Sequence, residues 1–295
     1  MKRTTAGIKK ICYDNLTCEQ QNNFAIVVNT CDDYCDVWEL FIRSMEEFFP
    51  KCGAPIYFNT ESINVLPFKT SLNVRFVNNI GPWGERIKSC LQQIKEEFVL
   101  NLFDDYLLDD FIDIEKLKNA KELLSSNECL SAVYLNAISL NYHLDLPNAG
   151  FREIRNFTEY RVNSAPAIWR KNDLISLTHN DDTPWSWEIF GTYRSFNSKR
   201  CFLSPSSVQN NIFSYDYQNG GAIYRGKWVR SEVDEKIRKY HIKLDLAKRG
   251  IASSQDREKR SLYWKLNFLF TGFKTDGFKS LWYVYFYLRN KVGLH

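Results

Sequence analysis

No window of this 295-residue chain approaches the run of about 18 apolar residues that a membrane-spanning helix needs. An integral membrane protein is therefore not expected. The opening stretch, "MKRTTAGIKKICYDN", is basic but has no apolar core, which argues against a secretory signal. Basic tracts are missing too. The net charge is only +4, so a protein that tracks phosphate backbones is excluded and no nucleic-acid partner is expected. Eight cysteines occur without a single C-x2-C pair, and Cys31 and Cys35, four apart, have no matching second pair. A structural zinc site needs four regularly spaced ligands, so these cysteines read as reduced thiols packed as small hydrophobes in a cytoplasmic protein. Repeats and low-complexity tracts are absent.

What is present suits one large domain, or a domain with an appendage. "FAIVV" (24–28) is a continuous apolar run, the mark of a strand covered on both faces. Val37, Leu40, Phe41, Met45 and Phe48 then recur at helical spacing until Pro50. "APIYF" (54–58) and "NVRFV" (73–77) read as strands. Ile87, Cys90, Leu91 and Ile94 form a helical stripe, and "FVLNLF" (98–103) is another buried strand. A helix near 113–124 and a strand near 131–138 follow. Strands alternating with amphipathic helices predict an α/β fold, a mostly parallel, Rossmann-related sheet with helices on both faces. Beyond 150 the pattern becomes irregular. "APAIWRKNDLISL" reads as a strand entering a short helix, "GGAIYRGKWV" as a hairpin, and 231–249 as a helix capped by Ser231 and ended by Gly250.

In sheets of this kind ligands bind beyond the carboxyl ends of the strands. Two strands end there in polar clusters: "FAIVV" runs into Asn29, Thr30, Cys31 and Asp32, and "FVLNLF" runs into Asp104 and Asp105. Paired aspartates at a strand exit can hold a divalent cation together with a diphosphate, act as an acid–base pair, or simply start a loop. The placement favours the cation, Mn²⁺ or Mg²⁺. Asp109, Asp110 and Asp113 read instead as the cap and first turn of the next helix.

Three blocks, "VVNTCDDYCDVWELFIRSMEEFFPKCGAPIYFNTE", "PWGERIKSCLQQIKEEFVLNLFDDYLL" and "APAIWRKNDLI…NDDTPWSWEIFGTYRS", resemble a family of bacterial GT-A-type glycosyltransferases encoded with capsule and O-antigen polysaccharide genes. The resemblance covers roughly residues 24–196. It implies a GT-A-like catalytic domain over 1–230, with a donor half of about 24–140 and an acceptor half of about 141–230. It also implies a nucleotide-sugar donor, with a UDP-sugar the commonest choice. Thr30 and Asp32 match positions facing the base and ribose. Arg86 matches a donor-side residue, where a guanidinium could pair with diphosphate. Asp104 and Asp105 stand in place of a D-x-D-like metal motif, although "FDDY" is not a strict D-x-D. Asp104 thus counts on the donor side as well, and Asp105 is the first choice for direct metal contact. Trp83 reads as a helix-entry staple rather than a stacking platform.

Transfer with inversion needs a base on the acceptor side. Glu188 in "PWSWEIFG" fits, and the resemblance also places a glutamate there. Trp185 and Trp187 flank it and could stack on an acceptor sugar; the plainer reading makes them core. Asp181 and Asp182 are runners-up, and His179 reads as a loop residue. Retention needs no strong base and stays open. The segment 231–295 is expected to be a helical extension. Within 261–295, aromatics such as Trp264, Phe273 and Trp282 alternate with Lys265, Lys274, Lys279 and Arg289. That mixture suits an anionic bilayer surface, the inner face of the cell membrane, and an acceptor carried on polyprenyl diphosphate. Packing on the domain, or a homodimer contact, is the alternative. A sugar-phosphate nucleotidyltransferase would use the same carboxylates but wants a Gly-rich phosphate loop, and "VVNTCDDYCD" contains no glycine. A non-catalytic protein of the same fold is the third reading.

Overall fold

The computed structural model describes residues 24–50, 52–138, 140, 142–146, 150–196, 198–215, 221–253, 262–283 and 285. The basic lead-in lies outside them, as do Phe286, Tyr287, Arg289, Lys291 and the side chains of Trp264 and Lys265.

The chain up to about residue 134 follows the sequence pattern closely. Strand β1 (Phe24–Asn29) is buried along its whole length and leads through a 3-10 turn into α1 (Trp38–Phe48). Then come β2 (Ile56–Thr60), β3 (Val74–Asn78), α2 (Trp83–Gln93) and β4 (Phe98–Phe103). The helix α3 (Ile114–Ser126) starts at Asp113, whose side chain accepts the Lys116 N–H at 3.0 Å, the cap that its position predicts. After it come β5 (Leu130–Tyr134), β6 (Tyr142–Leu146), β7 (Phe151–Ile154), β8 (Ala167–Arg170) and α4 (Lys171–Ser176). The chain continues through α5 (Pro184–Ser195), β9 (Cys201–Pro205), a hairpin of β10 (Ile223–Tyr224) and β11 (Lys227–Trp228), α6 (Arg230–Lys239) and α7 (Leu262–Asp276).

The nine-stranded sheet has the order β3-β2-β1-β4-β8-β5-β9-β7-β6. Its first four strands are parallel, as the alternating pattern requires. The second half departs from a mostly parallel sheet, because β8 runs antiparallel to both β4 and β5, and β7 runs antiparallel to β9 and β6. A parallel crossover needs a covering helix, and among the described residues none stands between β5 and β8; the chain returns by reversing direction. Alternate residues of β1 serve opposite faces. Phe24, Ile26 and Val28 join α1 and α3 in one core, while Ala25 and Val27 join α2, α4 and α5 in the other.

The helix expected over 231–249 stops at Lys239. His241 adopts φ +55, Ile242 turns inward to 8% exposure, and the Tyr240 hydroxyl donates to Glu47 at 2.7 Å. Tertiary packing thus overrides the helical stripe. The cap is Val229, not Ser231, whose hydroxyl donates to Glu232 at 3.0 Å. Val233 and Ile242 belong to the same core as α1. The C-terminal α7 packs on α5: Phe268 stacks on Phe190 at 4.8 Å, and Tyr283 stacks on Tyr193 at 4.5 Å. Among the described residues no helix is long and apolar enough to cross a membrane.

Candidate active site

The register of β1 against β4 sets Asn29 beside Phe103, so the next residues of each strand, Thr30 and Asp104, emerge together at the carboxyl edge. Thr30 donates its hydroxyl to Asp104 and accepts the Trp38 indole N–H at 2.7 Å. Asp104 is 3% exposed. Burial, and then the neighbouring Asp105 charge, hold its carboxyl well above the usual range, against the pull of Thr30 and Arg249. Burial likewise pushes Asp105 up to about 7. The segment after the sheet closes on this pair. The Ala222 N–H donates to the Asp105 carbonyl at 2.8 Å, and Gly221 has φ +86. A Cβ on Gly221 would lie 2.7 Å from that carbonyl and 3.2 Å from Asp105 Oδ2, so only glycine fits.

Two crowded carboxylates that repel one another are the donor chemistry a hard divalent cation relieves. Asp104 and Asp105 offer the hard oxygen ligands that Mn²⁺ or Mg²⁺ takes. Among the described residues no group of three or more His, Cys, Asp or Glu could form an all-protein site.

At the neighbouring exit of β2, Glu61 joins Asp32 and Arg86, the two other residues expected on the donor side. It forms an ion pair with the buried Arg86, and its second oxygen accepts the Asp32 N–H at 2.5 Å. Glu61 was not anticipated, although "FNTE" is the third strand exit of this edge to end in a carboxylate. The Asp32 side chain, expected to face the base and ribose, is half-buried and holds the turn after β2. It accepts the backbone N–H groups of Glu61, Ser62 and Ile63 at 3.0–3.3 Å. Burial opposes its ionisation, but the Ser62 hydroxyl and these N–H groups hold its carboxyl below the ordinary range. Arg86, expected to be open to diphosphate, is likewise engaged by Glu61 in this structure.

The opposite wall comes from α5, which begins with Thr183 as cap, Pro184 in the first turn and a reciprocal Thr183–Ser186 capping box. Glu188 lies one turn in and accepts the Ser164 N–H at 2.8 Å. The Ser164 hydroxyl in turn shares a hydrogen bond of 2.7 Å with the Tyr106 hydroxyl, and Tyr106 follows Asp105 directly. The acid pair and Glu188, 83 positions apart in sequence by 188 minus 105, are thereby joined through two residues. Burial raises the Glu188 carboxyl above its usual range, against the hydrogen bonds from Ser164.

The two tryptophans expected to stack on an acceptor are placed otherwise. Trp187 is 0% exposed, wedged between Trp83 at 5.6 Å and Trp169 at 5.9 Å. At helical spacing its position faces the sheet, so its ring is core. Trp185 packs on Phe268 of α7 at 4.2 Å. Trp83 is the expected staple: buried, stacked on Phe103, with its indole N–H donated to Asn29 at 3.1 Å. The first turn of α2 is sealed by the loop before α5. Gly84 N–H donates to the Asp182 carbonyl at 2.9 Å, and Glu85 N–H to the Asn180 carbonyl at 3.0 Å. A Cβ on Gly84 would sit 1.9 Å from the His179 carbonyl, which explains the glycine. His179 Nδ1 accepts the Asp181 N–H at 3.2 Å, and Asp182 pairs with Arg194 at 2.6 Å, so both are structural residues of this loop.

This fold is an α/β sheet covered on both faces, with a carboxylate pair at the exit of a central strand. No family model matches the sequence, and no curated protein does. Solved structures similar to it include S. aureus TarS 1–349, at 18% identity and a TM-score of 0.42 over 62% of this chain and 58% of that one. The same TarS fragment in complex with UDP-GlcNAc matches at 15% identity and a TM-score of 0.39, over 77% of this chain and 69% of that one. CMP:2-keto-3-deoxy-manno-octonic acid synthetase complexed with CTP matches at 12% identity and a TM-score of 0.40, over 64% and 93% of the two chains. The chain spans 58% of the TarS fragment and 35% of the longer TarS structure. No activity, substrate or site residue follows from likenesses at this level.

Proposed function

We propose that this chain is a glycosyltransferase that moves a sugar from a nucleotide-diphosphate sugar, with a UDP-sugar the expected donor, onto a glycan acceptor. The observation that supports this reading is the joining of Asp104–Asp105 to Glu188 through Tyr106 and Ser164. The acid pair lies where a diphosphate would cross the strand exits. Thr30, Asp32, Glu61 and Arg86 form the corner where the base and ribose would sit.

Glu188 is the base. It takes the proton of the acceptor hydroxyl while that oxygen bonds to the anomeric carbon. The bond from the anomeric carbon to the diphosphate breaks, and its electron pair leaves with the diphosphate, inverting the centre. A divalent cation on Asp104 and Asp105 would offset the charge that collects on the leaving group. Burial suits Glu188 to the task, since a base with a pKa nearer the working pH accepts protons more effectively.

The aromatic and basic surface of α7 and the turn that follows supports an acceptor held at an anionic bilayer, such as a polyprenyl-diphosphate-linked glycan at the inner face of the cell membrane. An acceptor of that kind would belong to surface-polysaccharide synthesis of the capsule or O-antigen kind. The test is a panel of nucleotide sugars with Mn²⁺, scored for slow release of free nucleoside diphosphate. Release from one donor supports the reading. Pyrophosphate formed from a nucleoside triphosphate and a sugar phosphate would replace it with nucleotidyl transfer. Neither product would leave a non-catalytic protein of this fold.

A further inference from the structure

Among the described residues Glu188 hydrogen-bonds to no charged group; what orients it is a serine from another segment. The Ser164 N–H donates to Glu188 Oε1 at 2.8 Å, and the Ser164 hydroxyl meets the Tyr106 hydroxyl at 2.7 Å. Both ends of this chain of contacts are fixed. On the serine side, the Asn163 N–H donates to the Tyr134 hydroxyl at 3.1 Å, and the Tyr134 hydroxyl donates to the Arg161 carbonyl at 2.9 Å. Val162 N–H donates to Thr192 Oγ1 at 2.9 Å, and Thr192 Oγ1 donates to the Glu188 carbonyl at 2.6 Å. The loop that carries Ser164 is therefore pinned to the sheet and to the same turn of α5 that carries Glu188.

On the tyrosine side, the Tyr106 ring stacks on Tyr215 at 4.5 Å and leans on Phe103 at 5.8 Å. Gly221 leaves room for it: a Cβ there would lie 3.2 Å from Tyr106 Cδ1. Tyr106 is covalently continuous with Asp105, so any placement of the acid pair fixes the start of the chain that ends at Glu188. The titratable groups facing Glu188 are the phenols of Tyr106 and Tyr134, both neutral in the working range.

We infer that Ser164 is the positioning residue of the catalytic carboxylate, and that Tyr106 sets Ser164 in register with the acid pair. This rests on the reading of Glu188 as the base. A carboxylate on a helix with free rotamers would sample several directions; a base must sit within hydrogen-bond reach of one acceptor hydroxyl. The Ser164 N–H, on a residue whose hydroxyl is held by the phenol beside the acid pair, restricts it to a single direction relative to the anomeric carbon. Positioning of this kind belongs to the support that keeps a reacting group within a fraction of an ångström.

The test compares S164A, S164T, Y106F and E188Q with the wild type, using the donor that releases nucleoside diphosphate. It records kcat, donor KM, thermal melting and rescue by sodium azide. Azide attacks the anomeric carbon as an anion, forms a glycosyl azide and expels the nucleoside diphosphate, so no proton has to be removed. The inference expects S164A to lower kcat by about tenfold or more with donor KM and melting unchanged, Y106F to do the same more weakly, and S164T to restore most of the rate. Azide should recover S164A and E188Q alike. Wild-type kcat in S164A, a loss carried by donor KM, or a loss that azide leaves untouched would overturn it. If E188Q itself keeps full kcat, the base reading fails and this inference with it; an inactive E188Q beside an unaffected S164A sinks the inference alone.

Discussion

Thr30 gives its single hydroxyl hydrogen to Asp104, and by doing so couples the loop after β1 to the exit of β4. The same oxygen accepts the Trp38 indole N–H at 2.7 Å, so α1 shares the arrangement. Thr30→Val keeps the shape and removes both bonds. It leaves a buried carboxylate and a buried indole N–H without their partner, a loss of about 1–3 kcal/mol. Thr30→Ser should retain most of the stability. Urea denaturation of the two variants measures this, and equal midpoints would show that the hydroxyl contributes nothing.

The acid pair makes the fold less stable than it could be. Asp105 has its carboxyl raised from 3.8 to about 7, so the folded chain holds this proton more tightly than the unfolded chain. Stability from this group is complete below about pH 4 and is lost as pH rises through about 7. Asp105→Asn should therefore melt higher than the wild type at pH 8, by an increment that vanishes at pH 4, while losing transferase activity. Mn²⁺ with UDP should raise the wild-type melting point at pH 8 and leave the variant unmoved. A variant that melts lower at pH 8 would contradict the electrostatic account.

Much of this was legible in the sequence, and the parts that were not share a cause. Period and burial found β1, β4 and the paired aspartates, because a continuous apolar run ended by charge has few other readings. Asp113 was found as a cap because its chemistry is local. Glu61, Ser164 and Tyr106 were not found, since each acquires its role only through partners 24 to 58 positions away. Trp187 shows the same limit from the other side: tryptophan beside a carboxylate looks like a sugar platform until α2 supplies Trp83 and β8 supplies Trp169 to bury it. The helix beyond Lys239 failed for a third reason, the pull of Ile242 into the core against an intact helical stripe.

Glu188 should leave its mark on the pH profile of turnover. Burial raises its carboxyl, so the acidic limb of kcat should fall at a higher pH than the value near 4.3 of an ordinary glutamate. Glu188→Gln should lower kcat by about 10²- to 10⁴-fold and abolish that limb. A limb that persists in the variant would assign the titration to another group.

Arg194 is held by two carboxylates from different elements. Asp182, 0% exposed, accepts at 2.6 and 3.0 Å, and Asp276 at the end of α7 accepts at 2.9 and 3.1 Å. The Arg194→Met variant strands both acids, and with Asp182 wholly buried the loss should be about 3–5 kcal/mol. Asp276→Asn leaves the Asp182 pair intact and should loosen only α7, seen as faster proteolysis after residue 253 with little change in the main unfolding transition. Equal effects of the two variants on that transition would mean that α7 is part of the central cooperative unit.

The face of α7 and the following turn that does not meet α5 carries Phe270, Phe273, Phe278 and Trp282, with Phe278 at 79% and Trp282 at 62% exposure. Lys279 is exposed beside them, and Asp276, the nearby acid, is paired with Arg194. Aromatic rings with an amphipathic reach and exposed lysines suit the headgroup layer of an anionic bilayer. Because these rings contribute little to the folded core, replacing Phe278 and Trp282 together by Ser should leave the melting point within about 1 °C, in keeping with the small effect of surface substitutions. The same pair should lose most of its flotation with phosphatidylglycerol vesicles, and raised salt should weaken the wild type's flotation through screening of the lysines. Flotation unchanged by the double substitution would remove the bilayer as the partner of this face, and a concentration-dependent change in mass would assign it to a second copy of the chain.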